Sequence, residues 1–424
     1  MSFQQGLSGL KAASGNLDVI GNNVANANTV GFKQSQAQFS DVYANAQGGS
    51  TDAAVGIGTK VMAVAQQFGQ GNITSTSNPL DMAISGQGFF QTNNNGALAY
   101  TRNGQFQLDK DGFIITPQGH QLNGYPVNKL TGLISTGSVG PLNLPRNAIS
   151  PLPTTTSIAG VNLDSRELVP TTAVFNPTDQ TSYNKSTAMT VYDSLGNNHI
   201  ASLYFIKVAP ATSNTWDVRM TVDNLPTDGI ATVPPSGTLL GQLGFSTSGL
   251  LVAPVGPPVG QLTVPAGGIT YATGSVIPQP LSIDFSKSTQ FGAPFGVNTL
   301  SQNGYTSGQL NDFSTASDGT IVGRYTNGQS QLLGQVVLAN FANVQGLQPK
   351  GNNEWTSSAA SGQALLGAPG TSSLGIVRSG ATEDSNIDLT AELVNMITAQ
   401  RVYQANAQTI KAQDSIMQTI TNLR

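Results

Sequence analysis

Apolar positions near the N-terminus fall at Phe3, Leu7, Leu10, Leu17 and Val24, with Ser14 and Gly21 at the intervening places. The spacing alternates between four and three residues, which lines one face of an α-helix. Glycine favours helix termini, so this helix is expected to end near Gly31. A second helical pattern runs from Asp388 to Arg424 without Gly or Pro. There Leu389, Leu393, Met396, Tyr403, Ala407, Ile410 and Met417 follow the same alternation, and good helix formers dominate. Ser385 or Asp388 is placed to cap its start. At about 1.5 Å per residue the pattern predicts a helix roughly 55 Å long. Gln400 and Asp414 interrupt its apolar face. Polar insertions of that kind set register in coiled coils at a cost in stability.

Between the ends the period shortens to the alternation of strands. Phe106 to Leu108 and Phe113 to Ile115 flank Asp109-Lys110-Asp111-Gly112, a hairpin signal. Met189 to Tyr192 and Ser202 to Ile206 flank a second turn at Asp193 to Asn197. Further strands are expected at Trp216 to Val222 and Leu281 to Phe285, with a buried one over Leu332 to Phe341. The fold class is therefore α+β and multidomain. Long N- and C-terminal helices pair as a coiled coil, and discontinuous β-rich domains lie between them. Pro/Thr-rich chain at Pro145 to Thr156 and polar chain at Gly292 to Gly308 mark the crossings into an inserted domain. The expected division is helices at 1–25 and 388–424, and connecting chain at 26–69 and 378–387. An inner β domain takes 70–145 and 300–377, and the inserted outer β domain takes 146–299.

The length of 424 residues fits about two to four compact units. Charged residues make up only 9 % of the chain, so its polar surface is built largely from Ser, Thr, Asn, Gln and Gly. Net charge is −4 with no basic patch, which argues against nucleic-acid binding. No run reaches the roughly 18 apolar residues of a membrane helix, so no membrane insertion is expected. Cysteine is absent, which excludes disulfides and thiolate chemistry. The opening Met1-Ser2-Phe3-Gln4-Gln5 lacks the pattern of a cleaved secretory signal.

Candidate chemistry is sparse. His120 and His199 are the two histidines, far apart in sequence and without clustered partners. Asp109-x-Asp111-Gly112 starts like a calcium loop but lacks the later acidic ligands. Ser8-Gly9-Leu10-Lys11 has the form S-x-x-K without its companion motifs. Neither Gly56-Ile57-Gly58 nor Gly86-Gln87-Gly88 builds a phosphate loop. No catalytic, metal or cofactor residues are assigned, and an enzyme is not expected. One amphipathic stripe does not offset the entropy of ordering so long a helix. Two readings remain: a helix pair packed on its own β domain, or ends that are disordered alone and fold in a polymer of like chains.

Specific motifs bear on that choice. Asn22-Asn23-Val24-Ala25-Asn26-Ala27-Asn28-Thr29-Val30-Gly31-Phe32-Lys33 resembles the signature of the flagellar rod and hook axial protein family. Pro79 to Phe90, Thr101 to Phe106, Leu108 to Phe113 and Gly119 to Tyr125 extend the resemblance, as does Glu392 to Lys411. Gln331 to Phe341 and Met1-Ser2-Phe3 are similar to the hook branch of that family. The likeness covers roughly 1–145 and 300–424, and is loose in the middle.

The resemblance implies a structural subunit that polymerises with itself into a flexible tube, coupling motor to filament and transmitting torque. Its implied partners are other copies, a flagellar rod protein, a hook–filament junction protein, a hook cap during assembly and the flagellar type III export apparatus. It implies an extracellular place in the hook, reached without a cleaved signal. A distal rod subunit is the nearer alternative, and a secreted glycan-binding β protein the more distant one. Phe39-Ser40-Asp41-Val42-Tyr43 has the form of an export motif in related substrates, and an ordinary strand or turn explains it equally well. The side chains of Asn22, Asn23, Asn26 and Asn28 are suited to bond backbone groups where a helix gives way to extended chain.

Overall fold

The computed structural model describes residues 2–42, 56–128, 131–145, 147–210, 212–226, 237–254, 260–264 and 281–422. The chain divides into two compact units. The first comprises Met1–Arg146, Asp312–Arg324 and Ser330–Arg424, and the second comprises Asn147–Asn311 with Tyr325–Gln329.

In the first unit, helix α1 (Ser2–Ala25) is followed by strands β1 (Ser35–Val42) and β2 (Gly58–Gln66). The two strands form an antiparallel hairpin, with a register shift between Gln38 and Phe39. The residues expected to be connecting chain thus carry regular structure. Helix α1 ends at Ala25, the limit of the expected helical segment and short of Gly31, where the chain turns through Asn26 and Thr29. Gly31 instead adopts a positive φ of 71°, and a Cβ there would lie 2.5 Å from the Asn103 backbone nitrogen. Its service is to a close backbone approach rather than to a helix cap.

The unit's main sheet is antiparallel. Phe89–Asn94 lies between Ala97–Thr101 and Gln121–Pro126, and the latter pairs Ser330–Val336. The predicted strand over Leu332 to Phe341 is two strands, Ser330–Val336 and Leu338–Asn340, because they pair different neighbours. Phe89, Tyr100, Phe341, Leu347 and Trp355 form an aromatic core with Phe68 against it. The hairpin around Asp109 is short, Gln107–Leu108 against Ile114–Ile115. Asp109 Oδ1 accepts from the Asp111 and Phe113 amides, a turn rather than an ion loop. The unit closes with helix α2, Leu389–Asn422.

The second unit encloses one core between two sheets. Lys185–Tyr192, Asn198–Lys207, Thr215–Val222, Thr238–Phe245 and Leu251–Ala253 follow in antiparallel order. The other sheet sets Thr156–Asn162 parallel to Ser282–Asp284 and antiparallel to Gly296–Gln302. Inward residues such as Trp216, Val218 and Met220 are buried while Asp217 and Arg219 between them are less so, the alternation of a half-buried strand. The unit runs past the expected boundary at residue 299, because Gly296–Gln302 pairs Thr156–Asn162 and Tyr305 bonds back to Leu152.

Candidate functional site on the terminal helices

Helices α1 and α2 run antiparallel. A Cβ on Gly6 would lie 3.2 Å from Ile410 Cγ1, one on Gly9 would lie 2.7 Å from Asn406 Oδ1, and Asn23 meets Glu392. The face of α1 turned inward is Gly6, Gly9, Ala13, Asn16, Ile20 and Asn23, in alternating steps of three and four. It is narrow and small, which lets the backbones approach. Opposite it, Glu392 and Ala399 are buried and Met396, Asn406 and Ile410 half-buried. A groove of about 1070 Å³ remains between α1, α2 and the hairpin, lined by Ala12, Asn16, Gln36, Asn395 and Thr398 among others.

The large apolar stripe of α1 is therefore displaced by one residue, or about 100° around the helix, from the face that pairs. Phe3 is 51 % exposed and Leu7 38 %, and Leu10, Leu17 and Val24 are half-buried. On α2, Met396, Ala407 and Ile410 are half-buried, while Leu389, Leu393, Tyr403 and Met417 are exposed. Val394 and Ile397, which the sequence pattern did not single out, are exposed as well. Only a search for residues beside the stripe, rather than on it, would have found them. Within one chain the two helices pair along the narrow face. Small facing residues and a polar junction hold them.

That junction lies where α1 ends and α2 begins. Asn23 Nδ2 donates to Ser35 O (2.8 Å) and Glu392 Oε1 (3.1 Å), and its Oδ1 accepts from Ser35 N (2.9 Å). Gln34 Nε2 also reaches Glu392, and the Gln34 backbone N–H donates to Asn386 Oδ1 at 2.8 Å. Asn26 Nδ2 donates to Asn22 O at 3.0 Å, and Thr29 Oγ1 to Asn26 Oδ1 at 3.2 Å. Asp388, not Ser385, caps α2, accepting from the Thr390 and Ala391 amides.

Beside it sits a buried ionic cluster. Lys33 Nζ lies 2.6 Å from Glu383 Oε1, and Arg102 NH1 lies 3.1 Å from Glu383 Oε2. Lys33 also donates to Gly69 O, and Glu383 accepts from Gly71 N. Gly31 N donates to the Glu383 carbonyl at 2.8 Å. Burial pushes the Lys33 ammonium below its ordinary value, against the pull of Glu383. Phe32 is half-buried next to the cluster's lysine. Phe39 stands 44 % exposed on β1, and Tyr43 lies outside the described residues.

The histidines are each engaged with carboxylates. His120 Nδ1 is 2.7 Å from Glu354, and His199 lies between Asp223 (2.6 Å) and Asp193 (3.3 Å). Among the described residues no group of three or more His, Asp or Glu is placed to hold a metal. No helix among them is long and apolar enough to cross a membrane.

Comparison with known proteins matches this layout along its length. Residues 3–33 match the family described as flagella basal body rod protein, and residues 83–158 the flagellar hook protein FlgE/F/G D1 domain. Residues 162–305 match the flagellar basal body protein FlaE D2 domain, and 378–423 the flagellar basal body rod FlgEFG protein C-terminal. The chain is 43 % identical to the flagellar hook protein FlgE of Salmonella typhimurium over 429 residues, covering 100 % of both. It is 43 % identical to that of Escherichia coli K12, again over all of both chains, and 30 % identical to that of Borreliella burgdorferi over 100 % of this chain and 99 % of the other. Among solved structures, Helicobacter pylori FlgE2 shares the fold with a TM-score of 0.51 at 14 % identity, covering 72 % of this chain and 99 % of that one.

Proposed function

Since the chain belongs to the flagellar hook protein family and is a structural subunit of the flagellar hook, not an enzyme, we propose that its terminal helices complete a coiled coil with those of neighbouring copies. The observation that carries this is the displacement between the two stripes. The intrachain seam uses small and polar residues, and it leaves Phe3 and Leu7 on α1, with Leu393, Val394 and Ile397 on α2, facing outward. Apolar rows of this extent are covered in a stable assembly. Copies of the same chain are the simplest cover, and repeated head-to-tail contacts generate a helical tube.

The β-rich segments then meet those of neighbouring copies. Few charges stand on them, so few ion pairs lock neighbours in one register. Contacts through Ser, Thr, Asn and Gly exchange at small cost as the tube bends, while the helices carry torque. A rod protein and a hook–filament junction protein abut the two ends of the tube, a cap guides its growth, and the type III apparatus exports the chain without cleaving a signal. Whole-length relatives named as hook proteins favour this over a rod subunit or a glycan-binding protein.

Electron microscopy of the purified chain polymerised in vitro tests the reading. Tubes are the expected product. A chain that stays monomeric under all conditions that polymerise its hook relatives contradicts it. The absence of cysteine makes the sliding idea testable by introduced pairs. Hooks crosslinked between adjacent outer units are expected to stiffen, and unchanged bending contradicts sliding.

A further inference from the structure

Five Asn-Gly pairs occur in the chain, beginning at Asn95, Asn103, Asn123, Asn303 and Asn327. Such a pair has its own chemistry. Glycine has no Cβ to shield its backbone nitrogen. Once deprotonated, that nitrogen can attack the carboxamide carbon of the preceding side chain. The surroundings of the five pairs differ.

Four carboxamides are pinned. Asn103 Oδ1 accepts from the Gln105 amide at 3.0 Å, and a Cβ on Gly104 would run into Met82 O. Asn123 is 4 % exposed within the strand Gln121–Pro126, and it donates to Gln91 Oε1. Asn303 accepts from the Thr155 and Thr156 amides and donates to Thr155 Oγ1. Asn327 donates to Thr306 O at 2.7 Å and accepts from the Gln329 amide at 3.1 Å. Swinging any of these side chains onto the following nitrogen breaks bonds worth about 0.5–1.5 kcal/mol each.

Asn95 is held differently. It stands at a φ of 50° in the two-residue turn between Phe89–Asn94 and Ala97–Thr101, followed by Gly96 at 97°. Residues 94–98 are all exposed. A Cβ added at Gly96 meets nothing within 4 Å, so the tip has room to rotate. Asn95 Oδ1 accepts no hydrogen bond among the described residues, and Nδ2 reaches only Asn94 Oδ1, at 3.5 Å. The bond that opposes attack runs from Gly96 N to Asn93 Oδ1 at 2.7 Å. It lies at an exposed tip, where water takes its place at small net cost.

We infer that Asn95 is the chain's site of spontaneous deamidation. The Gly96 nitrogen bonds to Asn95 Cγ, the Cγ–Nδ2 bond breaks, and ammonia leaves with the proton that Gly96 gave up. Water then opens the five-membered imide at one carbonyl or the other, giving aspartate or isoaspartate. Each event takes the net charge one unit below −4. The isoaspartate product also adds a backbone atom to a two-residue turn, whose geometry fixes the register of the strands it joins. None of these steps needs a second copy, so the inference goes beyond the hook reading.

Incubation of the full chain at mildly alkaline pH, followed by peptide mapping with mass spectrometry, tests it. Acid is expected to appear first at position 95, as two isomers, and faster as the pH rises. In guanidinium chloride the five pairs are expected to convert at comparable rates, since glycine follows each asparagine. Asn95→Gly keeps a sequence that such turns accept and removes the carboxamide. It is expected to lose the early acidic species of the folded chain, whereas Asn327→Gly keeps it. Three results overturn the proposal: another pair converting as fast as Asn95 in the folded chain, a single aspartate product, or an unchanged acidic species in Asn95→Gly.

Discussion

Asn23 Nδ2 donates to Glu392 Oε1 at 3.1 Å across 369 positions of sequence, with both side chains buried. This bond ties the last turn of α1 to the first turn of α2. Either substitution, Asn23→Ala or Glu392→Ala, leaves a buried partner unmade and is expected to lower stability by about 1–3 kcal/mol. The denaturation midpoint reads the loss. The double variant is expected to lose less than the sum by about 0.5–3 kcal/mol, since the two groups act together. Additive losses mean that the contact does not hold the junction.

Three glycines of α1 make a graded test of the seam. A Cβ added at Gly9 would lie 2.7 Å from Asn406 Oδ1, whereas one added at Gly21 has nothing within 4 Å. Gly9→Leu is expected to destabilise by about 1–3 kcal/mol through overpacking, with partial recovery when Asn406→Ala is added. Gly21→Ala is expected to stabilise by about 0.5–1 kcal/mol, because alanine is the better helix former. Gly6→Ala falls between them, since its added Cβ would lie 3.2 Å from Ile410 Cγ1. Thermal unfolding orders the three, and a reversed order removes the proposed register.

Lys33 gives the pH dependence a sign. Burial lowers its folded value below the ordinary 10.5, so over the interval between the two values the unfolded chain binds more protons. Stability from this group therefore rises with pH up to its unfolded value and is smallest below the folded one. Lys207, lowered by burial in the second unit, acts in the same direction. Tyr325, raised above 10.0 by burial, acts oppositely where tyrosine titrates. Below that range, the stability of Lys33→Met is expected to rise less steeply with pH than that of the parent chain. Urea midpoints from pH 7 to about 9.5 check this, and parallel slopes contradict it.

Much of this architecture was legible in the residues. The absence of Gly and Pro after Asp388 and the three-four alternation gave α2, and Asp193 to Asn197 gave the turn of a long hairpin. The face on which α1 and α2 meet was not legible. Hydrophobic periodicity finds the largest apolar row, but here Gly6, Gly9 and Ala13 pair more closely than Leu7 and Leu10 allow. The cluster of Lys33, Arg102 and Glu383 was equally hidden. Lys33 appeared only as the end of a motif, and nothing local signals that a residue 350 positions away neutralises it. The extent of the second unit depended on strand pairing between Thr156–Asn162 and Gly296–Gln302, a tertiary choice that punctuation by Pro and Gly does not encode.

The outward apolar row decides whether the helices are an assembly surface. Leu393 is 45 % exposed and Ile397 52 %, so Leu393→Glu and Ile397→Glu leave the buried residues of the α1–α2 seam unchanged. Monomer unfolding is expected to shift by no more than about 0.5 kcal/mol in either variant. The direct measurement is the rate and extent of polymerisation of these variants, followed by light scattering and electron microscopy. The account predicts a fall of at least about tenfold, corresponding to roughly 1.4 kcal/mol per subunit contact. Tubes that form at the parent rate with glutamate at both positions would contradict it.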